Sequence, residues 1–187
     1  MNIMVGISNR HVHLTKESVD ILFGKDYELT KRNDLTQKGE FASNECVTIK
    51  TVKGELNNIR VLGPVREYNQ VEISKTDSYK LGINPPVRNS GDILGSEVVT
   101  IIGPKGMITL ACCIIANRHI HINELDALEL NLKNDDIVRV KVNSIKGGIL
   151  DDVHIKIKKD ATFELHLDTD DGNAFMLKQK DIVEILL

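Results

Sequence analysis

A histidine-containing hexapeptide occurs twice in the chain, as NRHVHL at residues 9–14 and as NRHIHI at residues 117–122. In a β-strand, residues two positions apart point to the same face. His11 and His13 can therefore direct two imidazole rings at one cation, and His119 and His121 can do the same. Imidazole is the commonest metal ligand among protein side chains. The repeated motif therefore predicts two metal-binding pairs.

A second repeat supplies a third candidate ligand for each pair. GELNNIRV at 54–61 matches GILDDVHI at 148–155 at an offset of 94 residues, and the same offset aligns Glu72 with His166. A catalytic zinc ion typically has three protein ligands and one open position. We therefore predict two metal sites, although the repeat alone does not decide whether the third ligands cross over between the pairs. The proposed sets are His11, His13 and Glu72, and His119, His121 and His166.

Glu17 is a rival third ligand, because the spacing His11-x-His13-x₃-Glu17 resembles that of cupin metal sites. Its counterpart in the second copy, Glu124, follows His121 at a spacing that is shorter by one residue. Both glutamates fall in the first turn of a predicted helix, where the helix dipole favours a carboxylate whatever the function. We therefore interpret Glu17 and Glu124 as residues that stabilise helix N-termini.

Arg66 lies six residues before Glu72, in the segment RVLGPVREYNQVE. The planar guanidinium group suits bidentate binding of phosphate or carboxylate, so an arginine beside a divalent cation can hold an oxyanion. An ordinary surface arginine is an equal alternative on spacing alone. The chain has no glycine-rich phosphate loop and no G-x-S-x-G nucleophile motif. The GPKG segment at 103–106 is typical of a hairpin turn.

Short β-branched runs separated by glycine, asparagine, aspartate and proline predict a mostly β fold. Helical signals are few, and one follows each histidine motif, with Thr15 and Asn123 as candidate N-caps. Many short strands with few helices favour a barrel or a sandwich over a doubly wound sheet. The predicted strands are residues 2–8, 46–52, 59–62, 70–74, 97–102, 107–115, 137–142, 153–158 and 163–167.

Two matches in the same order indicate an internal duplication. The offset falls from 108 residues at the histidine motifs to 94 at the second match, so the first copy carries 14 additional residues. We assign them to the neighbourhood of KRNDLTQKGEFAS. The turn-rich segment PPVRNSGDILG marks the boundary between the copies. We therefore predict two domains, residues 1–90 and residues 91–187.

The composition is that of a globular protein, with 187 residues, 41% of them hydrophobic and 27% charged. A net charge of −3 gives no general attraction to nucleic acid or to anionic membranes, so we expect neither as a partner. No apolar run approaches the roughly 20 residues of a membrane span, and MNIMVGISNR lacks the layout of a signal peptide. Cys46, Cys112 and Cys113 lie in apolar runs, which indicates reduced thiols. We expect a cytoplasmic protein.

The chain resembles the PduL-type phosphotransacylases, also called phosphate propanoyltransferases. The resemblance covers nearly the whole chain and implies two tandem small β-barrels with short helices, a homodimer, and two zinc ions per active site. The implied reaction converts acyl-CoA and phosphate into acyl phosphate and coenzyme A, with acetyl and propanoyl groups equally tenable. The matching segments are SNRHVHL, TQKGEFAS, RVLGPVREYNQVEIS, PPVRNSGDILGS, ANRHIHI and HLDTDDGNA.

The resemblance also implies roles for individual residues. The family's metal ligands fall on the six residues that the repeats select, and its phosphate-binding arginine falls on Arg66, which we expect to be catalytic. Other substrate-binding positions fall on Gln37, Glu40, Gln70 and Ser90. Contacts with coenzyme A fall on Ser8, Arg60, Leu62 and Asn173.

Members of the family that are enclosed in microcompartments carry an amphipathic extension before the first histidine motif. Only residues 1–7 precede Ser8 here, so we expect a free cytoplasmic enzyme. We also expect phosphate to attack the thioester directly, without a cysteine acyl-enzyme. The alternatives are a zinc-dependent hydrolase of thioesters or other substrates, and a noncatalytic binding module stabilised by metal.

Overall fold

The structure is a computed structural model that describes residues 1–186. Over this range the chain is mostly β, as predicted, with four short helices. The helices are α1 (Lys16–Phe23), α2 (Lys75–Leu81), α3 (Glu124–Glu129) and α4 (Thr169–Ala174). The strands are β1 (Asn2–Ser8), β2 (His11–His13), β3 (Lys31–Asp34), β4 (Phe41–Lys50), β5 (Glu55–Gly63), β6 (Gln70–Glu72), β7 (Val87–Arg88), β8 (Glu97–Ile102), β9 (Met107–Ala116), β10 (His119–Ile122), β11 (Ile137–Val142), β12 (Gly148–Ile157), β13 (Glu164–Asp168) and β14 (Ile182–Leu186).

The unit formed by Arg10–Ala116 is a closed six-stranded barrel, which we call barrel A. Its strands follow the order β4-β5-β2-β6-β9-β8, and β8 pairs back to β4. The short strands β3 and β7 extend the sheet beside β4 and β9. Aliphatic side chains that include Leu14, Ile49 and Ile101 fill the barrel and are fully buried. This packing holds β2 and β6, which carry His11, His13 and Glu72.

The second unit, barrel B, consists of Met1–Asn9 together with residues 117–186. It closes in the order β1-β13-β10-β12-β11-β14. Its core includes Val5, Ile120 and Leu165, which are fully buried. The prediction of two small barrels is therefore confirmed.

The two barrels share one pattern of strand pairing. The histidine strands β2 and β10 each run parallel to one neighbour, β5 or β12, and antiparallel to the other, β6 or β13. The additional β3 lies within the segment KRNDLTQKGEFAS, where the offsets place the extra residues of the first copy. The duplication itself stays a prediction, and this shared topology is consistent with it.

The units do not follow the predicted division at residue 90. The strand before each histidine motif belongs to the other barrel: β1 pairs with β13 and β14, while β9 pairs with β6 and β8. Barrel A also keeps β8, which pairs with β4. Backbone hydrogen bonds between distant segments decide these memberships, and no local turn signal reports them.

The two helices that follow the histidine motifs begin where the sequence predicts. Thr15 accepts a hydrogen bond from the backbone N–H of Ser18, and Asn123 accepts one from the backbone N–H of Asp126, so both predicted N-caps are confirmed. The longest helix in residues 1–186 has eight residues, and none of the helices there is long and apolar enough to cross a membrane.

In each barrel, an arginine–aspartate pair connects the histidine motif to the helix that follows the third candidate ligand. In barrel A, Arg10 donates from Nη1 to the Asp77 carboxylate at 2.7 Å. In barrel B, Arg118 donates to both Asp171 oxygens, at 2.7 and 2.9 Å. This contact raises the pKa of the Arg118 guanidinium. Each arginine stands directly before its HxH pair, so the ion pair helps to fix the histidine strand.

Replacing Asp171 with asparagine is expected to lower the melting temperature by about 2–8 °C. The change removes the charge that faces a half-buried guanidinium, which is worth about 1–2 kcal/mol for a charge-assisted pair of this exposure, and about 2–4 °C accompany each kcal/mol in a chain of this size. Scanning calorimetry measures the shift. Glu129→Gln, which removes a carboxylate charge at an exposed position of the same barrel, is the control and should melt like the wild type. An equal melting temperature for both variants would contradict the proposed role of the pair.

Candidate functional site

The first candidate metal group lies in barrel A, on the neighbouring strands β2 and β6. His11 is paired with Glu72 in the antiparallel register, so their side chains share a face. Nε2 of His11 lies 3.4 Å from one Glu72 oxygen, and Nε2 of His13 lies 3.9 Å from the other. Donor atoms of the three residues lie within 4.8 Å of one another. Two imidazoles and a carboxylate at these separations fit a divalent cation.

The second group lies at the equivalent place in barrel B. His119 is paired with His166 across β10 and β13, and His119 Nε2 lies 3.2 Å from His121 Nε2. Donor atoms of these three histidines also lie within 4.8 Å of one another. Each third candidate ligand therefore lies with the histidine pair of its own barrel, without crossing over.

Burial favours the neutral form of the most buried histidine in each group, His13 or His121. The pKa of His13 is well below its usual range because of burial, with smaller contributions from the charges of His11 and Arg66. Burial also strongly lowers the pKa of His121, and His166 and His119 lower it further. A neutral imidazole presents the lone pair that a metal ion requires. The electrostatics therefore suit the residues to cation binding.

A backbone group orients one ring of the second group. Nδ1 of His119 lies 2.8 Å from the carbonyl oxygen of Asn117, which leaves Nε2 facing His121. Metal-binding histidines characteristically donate their other ring N–H to such an acceptor, which fixes the tautomer. The NRH segment thus orients its own first histidine.

The rival ligands lie elsewhere. Glu17 and Glu124 are exposed residues in the first turns of α1 and α3. Within residues 1–186, neither joins a group of three potential ligands. Their positions agree with the helix-stabilising role.

Arg66 is held next to the first group by its backbone N–H, which donates to the carbonyl of Leu14 at 2.8 Å, the residue after His13. Its charge contributes to the lowered pKa of His13. Its two terminal nitrogens donate to the Tyr68 hydroxyl at 3.0 Å and to the Glu40 carboxylate at 3.3 Å. The guanidinium plane also lies near the Tyr68 ring, 5.9 Å from its centroid. Gln37 is buried, and its carbonyl accepts a hydrogen bond from the backbone of Glu40. Hydrogen bonds thus connect Arg66, Glu40 and Gln37 with one another in barrel A.

Gln70 contacts the candidate ligand Glu72. Its amide nitrogen donates to the Glu72 carboxylate at 2.5 Å and to the Ser90 hydroxyl at 2.9 Å. Its amide oxygen accepts from the backbone N–H of Gly91 at 2.7 Å. The side chain is fully buried, so these bonds fix the Glu72 carboxylate. The resemblance predicts that Gln70 and Ser90 bind substrate, and the geometry favours a positioning role for Gln70.

The predicted coenzyme A contacts are divided between the units. Ser8 ends β1, and Asn173 lies exposed on α4, both in barrel B. Arg60 and Leu62 lie on β5 in barrel A, where Arg60 donates to the carbonyl of Ser43 at 2.7 Å.

One charged side chain near the second group escaped the sequence analysis. Glu164 is buried on β13, and its carboxylate lies 2.6 Å from Nε2 of His166. The signal was present, because Glu164 precedes His166 by two residues and so shares its strand face. The sequence does not single this residue out, because a glutamate in an alternating strand is ordinarily solvated.

Comparisons with known proteins identify the family. A family model described as phosphate propanoyltransferase matches residues 4–178. A phosphate propanoyltransferase of Thermotoga maritima is 50% identical over 186 residues, which cover 98% of this chain and 89% of the relative. Another from Lachnoclostridium phytofermentans is 48% identical, covering 97% and 86%. A third, from Rhodopseudomonas palustris, is 42% identical, covering 98% and 81%. By these matches, which span nearly its whole length, the chain belongs to the phosphate propanoyltransferase family.

Proposed function

We propose that the protein is a phosphate acyltransferase that interconverts acyl-CoA plus phosphate with acyl phosphate plus coenzyme A. The observation that supports this most directly is Arg66 beside the His11, His13 and Glu72 group, an oxyanion-binding side chain next to a candidate cation site. Acetyl and propanoyl groups are the proposed acyl substrates, and a homodimer is part of the proposal.

Zinc is the proposed metal, with one ion held by His11, His13 and Glu72 and one by His119, His121 and His166. These His and Glu sets resemble catalytic zinc sites, which have three protein ligands, more than the cysteine-rich structural ones. Zinc would supply Lewis-acid stabilisation of oxyanions and affinity for a thiolate. The neutral state of His13 and His121 prepares both sets for this binding.

The chain's own residues suit the transfer itself. Arg66 binds the phosphate, and a phosphate oxygen forms a bond to the thioester carbonyl carbon. The carbon–sulfur bond then breaks, and coenzyme A leaves as the thiolate. Arginine keeps its charge throughout, so the stabilisation of phosphate needs no proton transfer from this residue.

A cysteine acyl-enzyme fits the structure poorly. Cys112 and Cys113 are fully buried in barrel A. Burial raises the pKa of the Cys112 thiol to about 12 and raises that of Cys113 as well. A thiol must ionise to act as a nucleophile, so neither side chain suits this role. Cys46 lies outside both metal groups. Direct attack by phosphate is therefore the proposed route.

The purified protein is expected to release thiol from acetyl-CoA or propanoyl-CoA only when phosphate is present. Release should stop after chelation and return when zinc is restored. A thiol-reactive dye measures the rate, and the ratio of rates for the two substrates defines the acyl preference. Release that is equally fast without phosphate would contradict the transferase and favour the zinc hydrolase. An absence of release under all conditions would contradict both enzymes.

A further inference from the structure

Each third candidate ligand has a polar partner two residues earlier on the same strand. Glu164 is the partner of His166 on β13, and Gln70 is the partner of Glu72 on β6. The two partners are themselves related by the 94-residue offset. Both the third ligand and its partner therefore change between the barrels: glutamate with glutamine in barrel A, and histidine with glutamate in barrel B.

The chemistry of each partner matches its ligand. A carboxylate accepts hydrogen bonds only, so Glu164 requires the proton of a neutral His166 ring to lie on Nε2. Gln70 instead donates an amide N–H to the Glu72 carboxylate. An acceptor thus faces the histidine, and a donor faces the glutamate.

The fold makes room for the Glu164 carboxylate. Glu164 is 1% exposed, and β1 runs beside it with Gly6 paired to His166. A Cβ atom at Gly6 would lie 2.8 Å from a Glu164 oxygen and 3.1 Å from the His166 ring. Glycine at position 6 therefore lets the carboxylate and the ring lie against the backbone of β1.

We propose that Glu164 is a positioning residue, which holds His166 as the Nε2–H tautomer so that its Nδ1 lone pair is the one offered to a metal ion. The inference deepens the proposed function, because it rests on a cation in the second group. A carboxylate that holds a ligating histidine in this way is typically worth about 10- to 100-fold in metal affinity.

The first test uses metal-free wild-type protein. Nitrogen-15 spectra at about pH 8, where an ordinary imidazole is neutral, report which ring nitrogen of each histidine carries the proton. His166 is expected to show the Nε2–H pattern, and His166→Gln identifies its signals. An Nδ1–H pattern would overturn the proposal. This measurement does not depend on a Glu164 variant that folds.

The second test is zinc titration of Glu164→Gln against a competing chelator. The side chain keeps its shape, but its amide can donate to Nε2 and so favour the other tautomer. Of the two bound zinc equivalents, one is expected to weaken about 10- to 100-fold, while the one held by His11, His13 and Glu72 keeps its affinity. Glu129→Gln, an exposed position of barrel B, should change neither. Unchanged affinity of both equivalents in Glu164→Gln would overturn the proposal.

The two tests separate this inference from the proposed function. A wild-type protein that binds no zinc but holds His166 as Nε2–H would overturn the proposed zinc sites and support the positioning by Glu164. A wild-type protein that binds two zinc ions, with the affinities unchanged in Glu164→Gln, would leave the proposed function standing and overturn the inference.

Discussion

Replacing His121 with alanine is expected to lower the phosphate-dependent release of thiol from acyl-CoA by about 10³-fold or more. Lewis-acid stabilisation by a metal contributes several kcal/mol to a transition state, and each 1.4 kcal/mol corresponds to about a factor of ten in rate. His121 is the most buried histidine of its group, and its Nε2 faces that of His119. Without it, two histidines remain, which are too few for a catalytic zinc site. The bound metal should fall from two equivalents to one, as measured by mass spectrometry of the native protein.

The control for this variant is His154→Ala. His154 lies on β12 in the same barrel but outside both groups of three potential ligands. It should retain two metal equivalents and a rate close to that of the wild type, since it supplies no ligand. Circular dichroism establishes that both variants are folded. A folded His121→Ala protein with full activity would contradict the role of the second group in the reaction.

The local features of the fold could be predicted from the sequence. Alternation of side chains along a strand places His11 beside His13, and the repeat offset places Glu72 and His166 at equivalent positions, as the registers now show. The caps at Thr15 and Asn123 follow from residue type alone. Each of these features depends on a few neighbouring residues or on internal repetition.

The closure of the barrels could not be predicted from residue patterns. Barrels and sandwiches share the same alternating strands, and only the resemblance to a known family favoured the barrel. The exchange of β1 and β9 between the barrels depends on pairing of segments that lie far apart in the chain, such as Met4 with Glu164. The predicted division at residue 90 used a local turn signal, and turns do not report which distant strand a segment joins.

The charged groups around the candidate ligands could not be predicted from the sequence either. Arg118 and Glu164 are charged residues in strand-like or turn-like segments, where exposure is the ordinary expectation. Their partners, Asp171 and His166, become neighbours only when the helix and strand positions are known. Spacing in the sequence can thus identify potential ligands, whereas the groups that orient those ligands can be identified only from the folded structure.

Replacing Arg66 with alanine is expected to lower the phosphate-dependent rate by about 10²-fold, the usual cost of removing one preorganised charge-stabilising donor. The Michaelis constant for phosphate should rise more than that for acyl-CoA, because the guanidinium is proposed to contact phosphate. Contacts with Tyr68 and Glu40 already hold the guanidinium plane, so the binding geometry exists before phosphate arrives. Steady-state kinetics with each substrate varied separately measures both constants.

One further variant, Arg66→Lys, separates the charge of Arg66 from its geometry. Arg66→Lys keeps the charge but lacks the planar pair of donors, so its rate should fall about tenfold, between the wild type and the alanine variant. Added guanidinium ion should restore part of the activity of Arg66→Ala and none of that of Arg66→Lys, because only the alanine variant leaves space for the ion. Arg139→Lys, at an exposed position on β11, should behave like the wild type. If Arg66→Ala kept the wild-type rate and the wild-type Michaelis constant for phosphate, the proposal for Arg66 would be wrong. Phosphate would then bind elsewhere, and the Arg66 side chain would serve only to hold Glu40.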